Sequence, residues 1–317
     1  MALYLNEAEV GKLLTMDLAL EAVESAHRAH AAGRAIDMPR QRTRTATSTL
    51  HILQGALLEE GVTGYKAYTT SREANRFLVH LFDAADGRPL AVLAADALGM
   101  MRTGAAGGLA ARCLARPESA TVGVFGAGWQ AQSQIAALCR LRPIERVKLY
   151  CRDEERRRAG AADFSRRFGV EVAPAANAEE AVRGSDIVVT ITSSSHPVFD
   201  GDWLEEGAHV TAAGSNSLIR HEIDEKTVRR AGVVCVDGRA TALREAGDLL
   251  PALEKGRLQE GQLVELGELL TGTRSGRSDP SQITLFESQG MAIQDLALAV
   301  RLVALARQNG LGSELPY

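Results

Sequence analysis

The 317 residues predict an α/β chain: a doubly wound parallel sheet with a second, α+β domain built on an antiparallel sheet. Three observations lead there. A short apolar run, Thr121–Phe125, ends in Gly126-Ala-Gly128-Trp-Gln-Ala131 and opens into a helical stretch, Gln132–Leu141. Short apolar runs at Arg146–Cys151, Val170–Val172, Ile187–Thr192, His209–Ala213 and Val233–Val236 then alternate with helical or loop segments, the pattern of a parallel sheet. About 115 residues precede the glycine turn, and their strand-like runs are punctuated by Gly, Asp and Asn.

The N-terminal region begins helical. Thr15 is placed to cap a helix over Met16–His30, with Leu18, Val23 and Ala26 on one face and Gly33 beyond its end. Strand-like runs follow at Ser48–Leu53, Gly64–Thr69 and Phe77–Phe82, and Asp86-Gly87 marks a hairpin turn. Met100–Leu114 is a small-residue helix leading into the parallel sheet. The alanine- and leucine-rich segment Met291–Gln308 forms a long helix that returns to the first domain. The expected organisation is 1–115 plus 291–317 as one domain, with 116–290 inserted between.

Strand, glycine turn and helix occur in the order that a dinucleotide site of the Rossmann type requires. Gly126 permits the tight turn, and Gly128 lets the backbone approach a pyrophosphate at the helix N-terminus. Ala131 stands for the third glycine.

Composition narrows the class further. The chain is 45% hydrophobic and 24% charged, as in a soluble globular protein, and its net charge of −4 leaves no basic stripe for nucleic acid. No apolar stretch approaches the length of a membrane span, the start is no signal peptide, and no C-x-x-C pair occurs among four cysteines. A cytoplasmic location is expected. The seven histidines show no metal-site spacing, so no metal is expected.

The chemistry-bearing residues outside the turn are cationic. Met38-Pro-Arg-Gln-Arg-Thr-Arg44 alternates three arginines, which puts Arg40, Arg42 and Arg44 on one face of an extended strand. Clustered guanidiniums suit carboxylate or phosphate recognition. Lys66 sits between Tyr65 and Ala67 in an apolar strand, where partial burial would lower its pKa and let it exchange protons. Arg102 begins the small-residue helix.

Together these pieces resemble the ornithine cyclodeaminase/mu-crystallin family of NAD(P)-dependent enzymes. The motifs that match are Met38-Pro39 followed by arginine, Gly64-Tyr-Lys66, Met101-Arg-Thr-Gly-Ala-Ala106, Val124–Ala131 and Thr192-Ser-Ser194. Ala213-Gly-Ser-Asn216, Glu222-Ile-Asp224, Glu245-Ala-Gly-Asp248 and Thr284–Gly290 continue the series in family order over nearly the whole chain. The resemblance implies a homodimer whose N-terminal domains pair, with the active site between the two domains. It implies that Arg42 and Arg102 hold a substrate carboxylate, with Arg40 one pleat away as the alternative, and that Lys66 polarises or protonates the reacting carbon–nitrogen centre. It also implies that Thr103 and the turn, Gly126 to Ala131 with Trp129 and Gln130, meet the pyrophosphate. Thr192, Ser193, Gly214, Ser215, Ser288 and Gly290 are implied on the nicotinamide side.

One departure bears on the subclass. The cyclising deaminases of the family carry an aspartate where this chain has Asn216, and an amide cannot ionise. The expectation is therefore an NAD(P)H-dependent reductase of a small 2-imino acid, reversible as an amino-acid dehydrogenase. The alternatives are an ornithine cyclodeaminase-type ammonia lyase and a non-catalytic, crystallin-like NADP(H)- or ligand-binding protein. Arg40, Arg44, His51, Arg72 and Arg76, with Asn75 beside them, exceed what one carboxylate needs, as a second carboxylate on the substrate would explain (iminosuccinate to aspartate). Arg152 at the tip of the second strand suits a 2′-phosphate, so NADP is expected ahead of NAD.

Overall fold

The computed structural model describes residues 1–71 and 75–316. They divide into two compact units, Met1–Arg102 with Met291–Tyr317, and Thr103–Gly290. The chain enters the first unit through β1 (Ala2–Leu5), α1 (Glu7–Leu13) and α2 (Met16–Ala31). Thr15 caps α2 by accepting the Leu18 N–H, and Val23 and Ala26 are buried. Five strands follow, β2 (Ala35–Arg44), β3 (Ser48–Leu57), β4 (Val62–Ser71), β5 (Asn75–Asp83) and β6 (Pro89–Ala94), each antiparallel to the next. The turn at Asp86-Gly87 joins β5 to β6, with Gly87 in the left-handed region (φ 75°).

Helix α3 (Asp96–Leu114) starts earlier than its small residues suggest, so Arg102 lies inside it rather than at its start. The division between units falls after Arg102, not near 115. The physical reason is packing: Ala111 and Ala115 share an apolar core with Val122, Val124, Ala131 and Ile135.

The second unit contains β7 (Thr121–Phe125), α4 (Trp129–Leu141), β8 (Arg146–Tyr150), α5 (Glu154–Phe168), β9 (Glu171–Pro174), α6 (Ala178–Val182) and β10 (Ile187–Thr190). It continues through β11 (His209–Ala212), α7 (Glu225–Arg230), β12 (Ala231–Val236), α8 (Arg239–Glu245), α9 (Leu250–Glu254), β13 (Leu263–Glu265), α10 (Leu266–Thr271) and β14 (Ile283–Glu287). The chain then completes the first unit with α11 (Ala292–Gln308) and β15 (Ser313–Leu315).

The second unit's sheet has eight parallel strands in the order β13-β12-β14-β11-β10-β7-β8-β9. Its central strands are buried on both faces, which is why Ile187–Thr190 is a nearly unbroken apolar run. The chain leaves β7 for β8 on one side and returns to β10 on the other. The crevice beyond the ends of β7 and β10 is therefore the switch point where such sheets bind ligands.

The first unit's sheet runs β15-β1-β6-β5-β4-β3-β2 and is antiparallel except where β1 meets β6. Pairing puts Arg42 opposite His51, His51 opposite Tyr68, and Lys66 opposite Leu53 and Val79, so these side chains share one face. The same face packs on α11, where Ile293 and Leu296 lie against Gly55 and Gly64. Among the described residues no helix is long and apolar enough to cross a membrane.

Candidate active site

The second unit holds a cavity at its switch point. The cavity, of about 670 Å³, is bounded by Phe125 to Gly128, by Tyr150 to Asp153 with Arg156, and by Ile191 to Ser194. Two glycines at its floor have different duties. Gly126 takes φ 112°, and a Cβ there would lie 2.6 Å from the Ile191 carbonyl, so the fold itself demands glycine. Gly128 is the N-cap of α4 with no side-chain cap; a Cβ there would meet nothing nearer than Arg156, at 3.4 Å. Its bareness leaves the first N–H groups of α4 open towards an anion. These features fit the pyrophosphate of a dinucleotide.

Among the expected cofactor residues, Gly126, Gly128, Arg152, Thr192 and Ser193 line this cavity. Trp129 is half exposed and Ala131 buried at the start of α4, with Gln130 between them. Thr103 does not line it: its side chain is buried in α3 and its carbonyl accepts from Gln134 Nε2. Asp153 accepts the Arg156 N–H and caps α5, which leaves Arg152 as the cation at the tip of β8.

The loops after β10, β11 and β14 are held from beneath by buried carboxylates. Glu222 accepts from Thr192 N and Oγ1, Thr190 Oγ1 and Gly214 N. Asp248 accepts the N–H groups of Glu222 and Ile223. Asp237 accepts from Ser288 Oγ at 2.9 Å and Gly290 N at 2.6 Å. Ser215 donates to the Ser217 carbonyl, and Asn216 beside it is half-buried. Burial lifts Glu222 to about 7 and, with Asp248 and Glu222 nearby, holds Glu287 well above the usual carboxylate range.

The first unit gathers cations on its covered sheet face. Lys66 is 3% exposed, with Nζ 2.9 Å from Asp295 Oδ1 and 5.5 Å from the Phe77 ring centroid. Arg102 reaches the same oxygen through Nε at 3.2 Å and Gln294 Oε1 at 2.9 Å. Burial lowers Lys66 to about 8, Asp295 working against the shift and the Arg102 and Arg40 charges with it.

Arg40 is buried within the register shift between Met38 and Gln41, its guanidinium 6.0 Å from the Tyr68 ring. Arg42 is half-buried and Arg44 exposed. His51 stacks flat on Tyr68 at 4.3 Å and meets Thr70 Oγ1 at 3.1 Å. Burial, then the charges of Arg42, Arg40 and Arg44, lower it to about 4, so the ring is neutral at pH 7. Of the two arginines left open by the sequence, Arg40 acts on Lys66 and Arg42 most strongly on His51. Asn75 and Arg76 are exposed, and Arg72 lies outside the described residues.

Sequence reasoning passed over Asp295 and Gln294. The signal was present: Gln294-Asp295 is a polar pair inside an otherwise apolar buried helix. A charge in such a helix needs a partner.

Comparison with known proteins identifies the family. The family model described as "Ornithine cyclodeaminase/mu-crystallin family" matches residues 2–308. A Delta(1)-pyrroline-2-carboxylate reductase of Bacillus cereus is 36% identical over 241 residues, 76% of this chain and 74% of that protein. An alanine dehydrogenase of Archaeoglobus fulgidus is 34% identical over 325 residues, 99% of this chain and 98% of that one. The crystal structure of the iminosuccinate reductase of Paracoccus denitrificans in complex with NAD+ superposes with a TM-score of 0.94 at 27% identity, covering 100% and 99% of the two chains. With the family model matching nearly the whole chain and relatives 34–36% identical, this protein belongs to the ornithine cyclodeaminase/mu-crystallin family.

Proposed function

We propose that the chain is an NAD(P)H-dependent reductase that converts a small 2-imino acid to the amino acid, and that runs in reverse as an amino-acid dehydrogenase. The observation that carries this reading is Lys66: a buried amine lowered to about 8, set between a carboxylate and two guanidiniums. Such an amine exchanges a proton near neutral pH, which an imine nitrogen needs as it becomes an amine.

Bound at the cavity, NADH or NADPH supplies a hydride to the imine carbon. The rest is the work of this chain. Arg102 with Arg40 or Arg42 holds the substrate carboxylate. Lys66 donates to the imine nitrogen and keeps the carbon–nitrogen centre planar and electrophilic. The α4 N-terminus receives the pyrophosphate, and Arg152 receives a 2′-phosphate, so NADPH is preferred to NADH.

Arg44 and whichever of Arg40 and Arg42 does not hold that carboxylate extend the cationic face beyond what one carboxylate requires, which supports a dicarboxylic imino acid, iminosuccinate, over a monocarboxylic one. The opposite face of the same sheet exposes Ile36, Met38, Leu50 and Leu78 at 37–51%. That apolar face supports a homodimer formed by pairing of the first units. Four cysteines outside any disulfide suit a reducing cytoplasm.

The test is NAD(P)H oxidation with oxaloacetate, pyruvate or glyoxylate plus ammonia or methylamine, and with a cyclic ketimine, using both cofactors. Oxaloacetate with ammonia should react fastest. Cofactor binding without turnover on any of them would overturn the reading in favour of a ligand-binding protein.

A further inference from the structure

One carboxylate oxygen in the first unit serves two buried cations. Asp295 Oδ1 accepts from Lys66 Nζ and from Arg102 Nε, and the three side chains are between 0 and 10% exposed. Asp295 Oδ2 is buried and meets no hydrogen-bond donor among the described residues. The preceding residue extends the arrangement. Gln294 Oε1 accepts from Arg102, and Gln294 Nε2 lies 2.9 Å from His27 Nε2. Because Arg102 can only donate, it fixes which way the amide points. Gln294 Nε2 must then donate, and His27 must accept through Nε2. His27 is therefore neutral. Two consecutive residues of α11 thus tie β4, α3 and α2 to one another.

The amine is boxed in on its other sides. A Cβ on Gly99 would stand 2.6 Å from Lys66 Nζ, so the ammonium packs against bare backbone. The Phe77 ring lies beneath it. Among the described residues, the charges acting on Lys66 are Asp295 from α11, Arg102 from α3 and Arg40 from β2. Asp295 accepts from two of these cations, Lys66 and Arg102.

We propose that Asp295 is the positioning residue of this site: it keeps the proton on Lys66 in the absence of substrate and, with Gln294, aims the ammonium and the Arg102 guanidinium together. A substrate carboxylate would add negative charge beside Lys66 and so hold that proton more firmly. This rests on the reductase reading for the identity of the substrate, but not for the behaviour of the lysine.

The lysine can therefore be read without turnover. In the full-length chain labelled at lysine Cε, the Lys66 resonance is the one lost in Lys66→Met. Its titration midpoint should lie near 8 in the natural chain and at least one pH unit lower in Asp295→Asn. The alkaline limb of the reductive pH–rate profile should move by the same amount, and kcat should drop at least tenfold, while NAD(P)H affinity stays within about twofold. A natural midpoint near the ordinary lysine value overturns the proposal. So does an Asp295→Asn midpoint that does not move, whatever happens to its Tm. If Asp295→Asn fails to fold, Gly99→Ala carries the test, since its methyl displaces Nζ from Asp295 and should lower the same midpoint and kcat. An unmoved midpoint there also overturns the proposal. Absence of turnover in the natural chain with a midpoint of 8 that falls in the variant would remove the reductase reading and leave the Asp295–Lys66 coupling standing.

Discussion

Glu222 accepts the backbone N–H of Gly214 at 2.6 Å and so ties the loop after β11 to Thr192 in the loop after β10. Gly214 has no space for a side chain, because a Cβ would lie 2.3 Å from the Thr192 carbonyl and 2.5 Å from Glu222. Four donors converge on this one carboxylate and favour its ionised form. Burial opposes them and prevails. Glu222→Gln replaces an acceptor of four bonds by a group with one acceptor and two donors. At least one buried N–H, that of Gly214 or of Thr192, then loses its partner, at about 1–3 kcal/mol. Denaturant unfolding should show that loss. Fluorescence titration should show NAD(P)H affinity falling more than tenfold, since Thr192 lines the cavity. A variant of natural stability and affinity would remove Glu222 from this account.

The two glycines of the turn should separate folding from binding. Gly126→Ala puts a Cβ against the Ile191 carbonyl at a left-handed position and should destabilise the second unit. Gly128→Val meets almost no protein atom, so the chain should fold, yet the branched side chain stands where the pyrophosphate approaches. The expected result is a natural unfolding midpoint with severe loss of NAD(P)H binding. Unchanged affinity in folded Gly128→Val would detach the glycine turn from cofactor binding.

What the sequence made legible, and what it did not, follows from the range of the interactions. The glycine turn, the capped helix at Thr15 and the parallel strands were legible because each is a local pattern of a few residues. The strand β14 was not picked out as one, since Thr284 and Glu287 break its apolar run; the fold satisfies Thr284 through His209 on the neighbouring β11. Lys66 and Arg102 were legible as cations in apolar company. Asp295 lies 229 residues from Lys66, and no spacing rule spans that distance. Arg40 falls within a register shift of β2, which simple alternation does not foresee.

Arg152 is expected to set cofactor preference. It lines the cavity beside Asp153, whose carboxylate is engaged in capping α5. A bond from arginine to a 2′-phosphate contributes about 1.5–3 kcal/mol, roughly 10- to 150-fold in affinity. Arg152→Ala should weaken NADPH by that factor and NADH by far less. Equal losses for the two cofactors in parallel titrations would count against a preference for NADPH.

The pH dependence should reverse with the direction of reaction. Burial holds the Lys66 amine near 8, below its ordinary value. Reduction needs the charged amine as donor, so its rate should be level at lower pH and fall as pH rises through about 8. Oxidation needs the neutral amine as acceptor, so its rate should rise through about 8 and then level. Lys66→Met removes the group and should lower kcat in both directions by about 10²–10⁴-fold, the usual weight of a general acid–base residue. Profiles measured both ways would show it; identical profiles in the two directions would remove Lys66 as the proton carrier.

Asn216 should decide between reduction and ring closure. It sits half-buried in the loop that begins at Gly214, next to Ser215, whose hydroxyl donates to the Ser217 carbonyl. Loss of ammonia with ring closure needs a group that carries a proton at the amine, and a carboxylate does so while an amide does not. The buried carboxylates nearby are already committed: Glu222 to Thr192 and Gly214, and Asp248 to the backbone of residues 222 and 223. Neither replaces the missing acid. The natural chain, given ornithine and NAD+, should therefore form no proline above background, while it reduces an imino acid with NAD(P)H. Asn216→Asp restores the carboxylate at the position and should lower the reductive rate without disturbing the fold, since the two side chains have nearly the same shape. Product analysis by mass spectrometry settles the matter. Proline and ammonia appearing together from the natural chain, at a rate comparable with imine reduction, would overturn the reductase reading whatever the Asn216 variant does.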